Sequence, residues 1–321
     1  MDNLLGNVRL QKINGKNGER KLKNKGKYSL FLMALPFLLL VFVFSYLPLY
    51  GWAYSLFDWR PPFKLSQVPY VGLKWYKYLF LNKVQFSHLL QVLENTFVIS
   101  GLNIVTSILP MFFAIFLVEI KSGWYKRLVQ TLTTVPNFIS WVLVYSFAFS
   151  IFSSDGLANT VLKDIHYITS SINFLGNSDN VWLTMILWYL WKGLGWSSIM
   201  YLAAITGIDQ ELYEAARVDG AGRFRMMRSI TIPSLLPTFF VLLMLAVANF
   251  LNNGMDQYYV FQNSLNQSKI EVLDLYVYNI GVTSASYSIA TAIGVVKSIV
   301  SLVLLVTVNS ASKLVRGETI I

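Results

Sequence analysis

Glu214-Ala215-Ala216-Arg217-Val218-Asp219-Gly220, running on to Ile230-Thr231-Ile232-Pro233, is a polar, arginine-bearing stretch set between two long apolar runs. The runs on either side decide what it is. An α-helix rises 1.5 Å per residue, so about 20 apolar residues cross the ~30 Å hydrocarbon core of a bilayer. A polar segment between two such runs is a connecting loop, and it can meet a water-soluble partner. Outward from it, residues 28–50 carry no charge, and further apolar runs lie at about 95–118, 129–152, 182–205, 237–260 and 287–312.

These runs predict an all-α membrane protein of six transmembrane helices over residues 28–318, preceded by a basic tail, 1–27. Composition agrees. The 321 residues are 55% hydrophobic and only 13% charged, with mean hydropathy +0.52, where a soluble domain carries about 25% charge. There is no cysteine, which excludes disulfides, thiol catalysis and Cys-ligated metal. His88 and His166 fall in predicted outer loops with no metal-like spacing and read as ordinary solvated side chains. No metal site is expected.

The net charge of +10 sets orientation rather than nucleic-acid binding. The tail holds Arg9, Lys12, Lys16, Arg20, Lys21, Lys23, Lys25 and Lys27. Positive residues favour the cytoplasmic side, and six spans return both termini to it. Lys121, Lys126, Arg127, Arg217, Arg223, Arg225, Arg228, Lys313 and Arg316 then also fall inside. The first outer loop, 51–94, carries five basic residues against this rule, but long translocated loops tolerate charge. A signal peptide would need a shorter apolar region and a small-residue cleavage site. The run 28–50 ends Leu47-Pro48-Leu49-Tyr50, so it reads as a retained first span.

The outer loop 51–94 is rich in Trp and Tyr, as interfacial belts are, and a short amphipathic helix is expected near 73–81. Pro36, Pro110, Pro136, Pro233 and Pro237 lie in or beside spans. Each frees a backbone carbonyl, which points to kinked helices around a cavity.

The loop 206–233 has chemistry of its own. Asp209 can cap a helix starting at Gln210, with Glu211 in the first turn where the helix dipole favours acid. Leu212, Ala215 and Ala216 share one face at i, i+3, i+4 spacing. Asp219-Gly220 signals a turn, and a second short helix with Arg223, Arg225 and Arg228 leads to Pro233. The expected form is helix–turn–helix beneath the membrane. A solvated basic loop would account for the arginines but not for the Leu-Ala-Ala face.

The stretch Ala203-Ala204-Ile205-Thr206-Gly207-Ile208-Asp209-Gln210-Glu211-Leu212-Tyr213-Glu214-Ala215-Ala216-Arg217-Val218-Asp219-Gly220-Ala221 resembles the sugar-importer branch of binding-protein-dependent ABC importer permeases, which includes the maltose permeases. Many members carry Pro at the position of Asp209 and Leu at that of Ile232. Val71-Gly72-Leu73-Lys74-Trp75-Tyr76, Glu94-Asn95-Thr96, Trp191-Lys192-Gly193-Leu194-Gly195-Trp196 and Asp274-Leu275-Tyr276-Val277-Tyr278 resemble a subgroup near the lipoprotein-associated polysaccharide permeases, with importers of alginate-like and pectin-derived oligosaccharides. The resemblance implies the type I importer fold and one half of a heterodimer in a bacterial cell membrane. It implies a sister permease, a cytoplasmic ATPase dimer and an extracytoplasmic solute-binding protein as partners. Glu214, Ala215, Ala216, Asp219 and Gly220 would form the ATPase-coupling surface. This sequence contains no G-x-x-x-x-G-K-[ST] phosphate loop, so ATP and Mg would belong to the ATPase, and no cofactor is expected here.

Two charges sit inside predicted spans. Lys192 and Lys297 each lie about ten residues from an outer end, ~15 Å deep at 1.5 Å per residue. Charge at that depth costs ~2.5–3.5 kcal/mol or more and marks function by default. The pair could hold the carboxylate of a uronic-acid sugar. Alternatively, each pairs with a carbonyl or with Asp256. Asn249, Asn252, Asn253 and Asp256, read as one side of the fifth span, could bind sugar hydroxyls or other helices. Tyr145, Trp188, Trp191 and Tyr258 could stack on sugar faces.

The function expected is ATP-driven oligosaccharide import by alternating access. The alternatives are the same architecture carrying another solute such as glycerol phosphate, a channel, or a six-span membrane enzyme. An enzyme would need acids or histidines facing a cavity, and apart from Asp256 the acids lie in tails, loops or span ends.

Overall fold

A computed structural model of the chain describes residues 29, 31–176 and 178–316; the basic tail lies outside the described residues. The chain divides into two compact units, Met1–Tyr54 and Ser55–Ile321. Within the first lies most of a long apolar helix, α1 (Phe31–Leu56), with hydropathy 2.3.

The second unit is helical, and the described residues contain no strand beyond an isolated bridge between Phe57 and Tyr70. Its elements are α2 (Lys74–Leu81), α3 (Lys83–Thr106), α4 (Leu109–Glu119), α5 (Gly123–Thr134), α6 (Trp141–Phe152), α7 (Leu157–Asp164), α8 (Val181–Thr206) and α9 (Gln210–Val218). They are followed by α10 (Arg223–Ala248), α11 (Asp256–Phe261), α12 (Gln267–Ile270), α13 (Leu273–Tyr278) and α14 (Tyr287–Arg316). The expected amphipathic helix at 73–81 is α2, with Leu79 turned into the core.

Among the described residues, five helical stretches are long and apolar enough to cross a membrane: Phe31–Leu56, Lys83–Glu119, Trp141–Asp164, Arg223–Ala248 and Tyr287–Ser310. α8 is 26 residues long, about 39 Å at 1.5 Å per residue, but its Trp, Tyr, Gly and Lys residues dilute its hydropathy.

Several expected spans are not single helices. The run 95–118 breaks between α3 and α4, just before Pro110, which sits in the first turn of α4. The run 129–152 is two helices: a 3-10 turn, Val135–Phe138, contains Pro136, and Ser140, extended, caps α6 through its side chain. The run 237–260 also needs correction. α10 starts at Arg223, passes through a π-turn at Met227–Thr231 and Pro233, and stops at Ala248. No short second helix ends at Pro233. Pro110 and Pro136 are tolerated in first turns because the missing N–H is an orphan there anyway, whereas Pro233 and Pro237 lie within α10, after its π-turn.

Three buried clusters hold the unit together. Met111, Ala114 and Ile115 of α4 pack with Tyr201, Ile205, Met227 and Leu235. Ile99, Val144, Val181 and Met185 pack with Tyr258, Phe261, Ile270, Val272 and Leu275. Leu79, Leu89 and Val92 pack with Leu273, Tyr276, Ala292 and Ile293. The segment 256–278, expected as loop beyond residue 260, thus supplies core to two clusters. α8 and α5 approach so closely that a Cβ on Gly195 would lie 2.3 Å from the Thr133 carbonyl oxygen. Small residues let transmembrane helices meet at this distance.

Candidate functional site

The loop after α8 is built by local capping. Asp209 accepts a hydrogen bond from the Glu211 backbone N–H at 3.0 Å, which starts α9. Its end is a Schellman motif: Ala221 N–H donates to Ala216 C=O at 2.8 Å, and Gly220 N–H to Arg217 C=O at 3.0 Å. That closure needs a residue in the left-handed region, and Gly220 has φ +74°. Tyr213 and Thr231 hydroxyls, 2.9 Å apart, tie α9 to the start of α10. Glu214, Ala215, Asp219 and Gly220 stay exposed, Ala216 is half-buried, and the apolar side chains of Val218 and Phe224 are 88% and 79% exposed. The turn therefore presents a firm apolar and acidic surface that none of the described residues covers.

The two span lysines have different surroundings. Lys192 Nζ donates to the carbonyls of Pro136, at 3.2 Å, and Asn137, at 2.7 Å. These belong to the 3-10 turn between α5 and α6, where the Pro136 carbonyl also accepts from Ile139 N–H at 3.2 Å, and a cation there also opposes the negative end of the helix dipole. Lys192 acts as the cap of a proline break. Lys297 pairs with Asp274, rather than with Asp256 as the alternative reading had it. The other Asp274 oxygen accepts from Gly254 N–H at 2.9 Å, so this carboxylate joins the turn after α10 to α14.

The asparagine cluster is not one helix side. Asn249 caps the end of α10 and its amide donates to Leu245 C=O at 2.9 Å, which is local competition with the helix ladder. Gly254, at φ +71°, turns the chain again. Asn253 donates to Ser100 Oγ at 2.9 Å, a bond between elements. Asp256 starts α11 and is exposed. Asn249 and Asn252 still share one cavity, about 520 Å3, with Lys297, Asp274, Ser298 and Ser301. The Ser301 hydroxyl is buried there without a partner.

Of the aromatics, Trp188 and Trp191, with ring centres 5.6 Å apart, line an apolar cavity of about 610 Å3 with Phe152 and Phe174. Tyr145 packs edge-on against Phe261 at 5.1 Å. Tyr258 is 2% exposed inside the core, so it presents no ring to a cavity.

His88 is not an ordinary solvated side chain. Its Nε2 lies 2.9 Å from Glu271 Oε2, while Asn279 donates to Glu271 Oε1 at 2.7 Å. Glu271 is 3% exposed. Burial, then Glu271 and Tyr78, push the Tyr276 phenol beside it up to about 12. Neither Asp274 nor Glu271 was a sequence candidate. Both lie between the runs expected as spans, and only the folded segment brings them to α14 and α3.

Residues 104–315 match the family described as "Binding-protein-dependent transport system inner membrane component". The chain is 37% identical to Protein LplB of Bacillus subtilis (strain 168) over 88% of each chain. It is also 37% identical to that organism's polygalacturonan/rhamnogalacturonan transport system permease protein YteP, over 88% of this chain and 87% of the relative. Among solved structures it is similar to a chain of a bacterial alginate ABC transporter in complex with alginate pentasaccharide-bound periplasmic protein. There the TM-score is 0.80 and the identity 30%, over 92% of this chain and 97% of that one. With its helical fold, its exposed turn and these likenesses over most of its length, the chain belongs to the binding-protein-dependent transport-system inner-membrane components, the permease subunits of ABC transporters, and is not an enzyme.

Proposed function

We propose that the chain is the permease of an ATP-driven oligosaccharide importer in a bacterial cell membrane. The observation that carries this reading is the 37% identity to YteP over 88% of the chain, since YteP's name states its cargo. In this reading α8 joins the five apolar helices as a sixth span, the permease domain covers 28–318, and both termini and the loop 206–233 are cytoplasmic. A sister permease completes the pathway. A solute-binding protein delivers the sugar from outside. An ATPase dimer binds ATP and Mg and grips Glu214, Ala215, Ala216, Asp219 and Gly220.

ATPase closure pushes on α9, and the Tyr213–Thr231 contact passes the displacement to α10. To take a 1:99 ratio of outward to inward states to 99:1 requires about 5.5 kcal/mol of differential binding. Nucleotide and loaded binding protein supply it together.

The cavity of Asn249, Asn252 and Lys297 is the stronger substrate contact, because amides both donate to and accept from sugar hydroxyls. Lys297 is neutralised by Asp274, so a uronate gains from it only when that pair opens. Lys192 is engaged by two carbonyls, and its role is to hold the bend.

Co-purification tests this reading. Tagged chain from the native membrane is expected to bring down a sister permease and an ATPase in stoichiometric amounts. Isolation as a homo-oligomer without an ATPase would contradict it.

A further inference from the structure

A second polar cavity, about 590 Å3, lies away from Lys297, between the start of α3 and the segment 259–284. Its size is within the ~300–1,000 Å3 of small-ligand sites. Two layers form its wall. The inner layer is committed: Glu271 is held from both sides by His88 and Asn279, and Gln85 donates to the Tyr276 hydroxyl. The outer layer is free. Gln262 and Gln267 line the cavity, and their side-chain amides make no hydrogen bond to another described residue. Tyr259, 46% exposed, adds a ring beside them.

Rigid backing with free amides in front suits a ligand that brings its own hydroxyl donors and acceptors. No lysine or arginine lines the cavity, and its one carboxylate is the buried Glu271. The one group there able to carry positive charge, His88, is already turned to that carboxylate, so an anionic ligand would meet no free cation.

We propose that this cavity is a saccharide subsite for an uncharged sugar unit, separate from the Lys297 cavity. It rests on the oligosaccharide-permease reading. In the orientation proposed above, it opens on the outer side and takes the sugar before the membrane pathway does.

The test uses the full transporter, with sister permease and ATPase, in lipid nanodiscs without binding protein. Titration with arabinotetraose, a neutral probe, and tetragalacturonate, an acidic one, is followed by saturation-transfer NMR. The unaltered complex is expected to bind arabinotetraose more tightly than tetragalacturonate. Gln262→Ala with Gln267→Ala should weaken arabinotetraose about tenfold, the effect of losing roughly two net hydrogen bonds, with normal assembly and little change for tetragalacturonate. Unchanged arabinotetraose binding, or preference for the acidic probe, would overturn the proposal. So would loss of capture of separately added binding protein by the double variant with sugar binding intact, since the cavity would then be a protein-docking surface. ATP-driven uptake by the unaltered complex, reconstituted in proteoliposomes with loaded binding protein outside, separates the two readings. Uptake of neither probe overturns the importer reading and the subsite with it, whereas uptake alongside unchanged binding in the double variant overturns the subsite alone.

Discussion

At Gly220 a single backbone angle, φ +74°, ends α9 and aims the exposed turn. A Cβ there meets no neighbouring atom, so Gly220→Ala tests conformation alone. Left-handed backbone costs an L-residue ~1–2 kcal/mol. The variant should reach the membrane normally yet retain several-fold less ATPase on co-purification. Asp219-Gly220 and the Asp209 cap were legible in the sequence because both motifs are local. The Lys297 partner was not, because Asp274 is 23 residues away in a stretch that hydropathy reads as loop. Lys297→Met leaves the Asp274 carboxylate short of a partner, at a cost of about 2 kcal/mol. Adding Asp274→Asn removes the orphaned charge. The double variant should recover thermal stability lost by the single one, with melting of the detergent-solubilised complex as the measurement.

Among the elements, length and apolarity identified α1, α8 and α14 well. They failed where short polar residues intervene. Periodicity carried the fifth span through residues 249–256, but the Asn249 amide bonds back to Leu245 and Gly254 leaves the helical region. The short helices α11 to α13 were illegible for another reason. Each has six residues or fewer and exists through packing against α3, α6 and α14 rather than through propensity. The contact of α5 with α8 makes two predictions. Gly195→Ala forces the Thr133 carbonyl away and should cost ~1–3 kcal/mol, as overpacking does, lowering the melting temperature by several degrees. Lys192→Met removes the ammonium from the Asn137 carbonyl, while the Pro136 carbonyl keeps the Ile139 N–H, and should destabilise by a similar ~1–3 kcal/mol. Lys192→Arg, which keeps the charge and adds donors, should lose less. A uronate-binding role would instead show as lost uptake with unchanged melting.

For the whole molecule, the proposed coupling surface and the proposed cargo surfaces differ in kind. The loop 206–233 carries its information in local motifs, so its family was legible from residues 203–221 alone. The cavities form only when segments distant in the chain meet, so sequence pointed to Lys297, Asn249 and Asn252 but missed Asp274, Glu271 and His88. The central claim is that this permease imports oligosaccharide under the drive of an ATPase held at α9. ATP-dependent oligosaccharide uptake into proteoliposomes containing the chain, its sister permease and its ATPase, with loaded binding protein outside, tests it most directly. We predict uptake that requires internal ATP and falls several-fold in Gly220→Ala with the complex still in the membrane. Uptake that proceeds equally without ATP, or is untouched by Gly220→Ala, would contradict it.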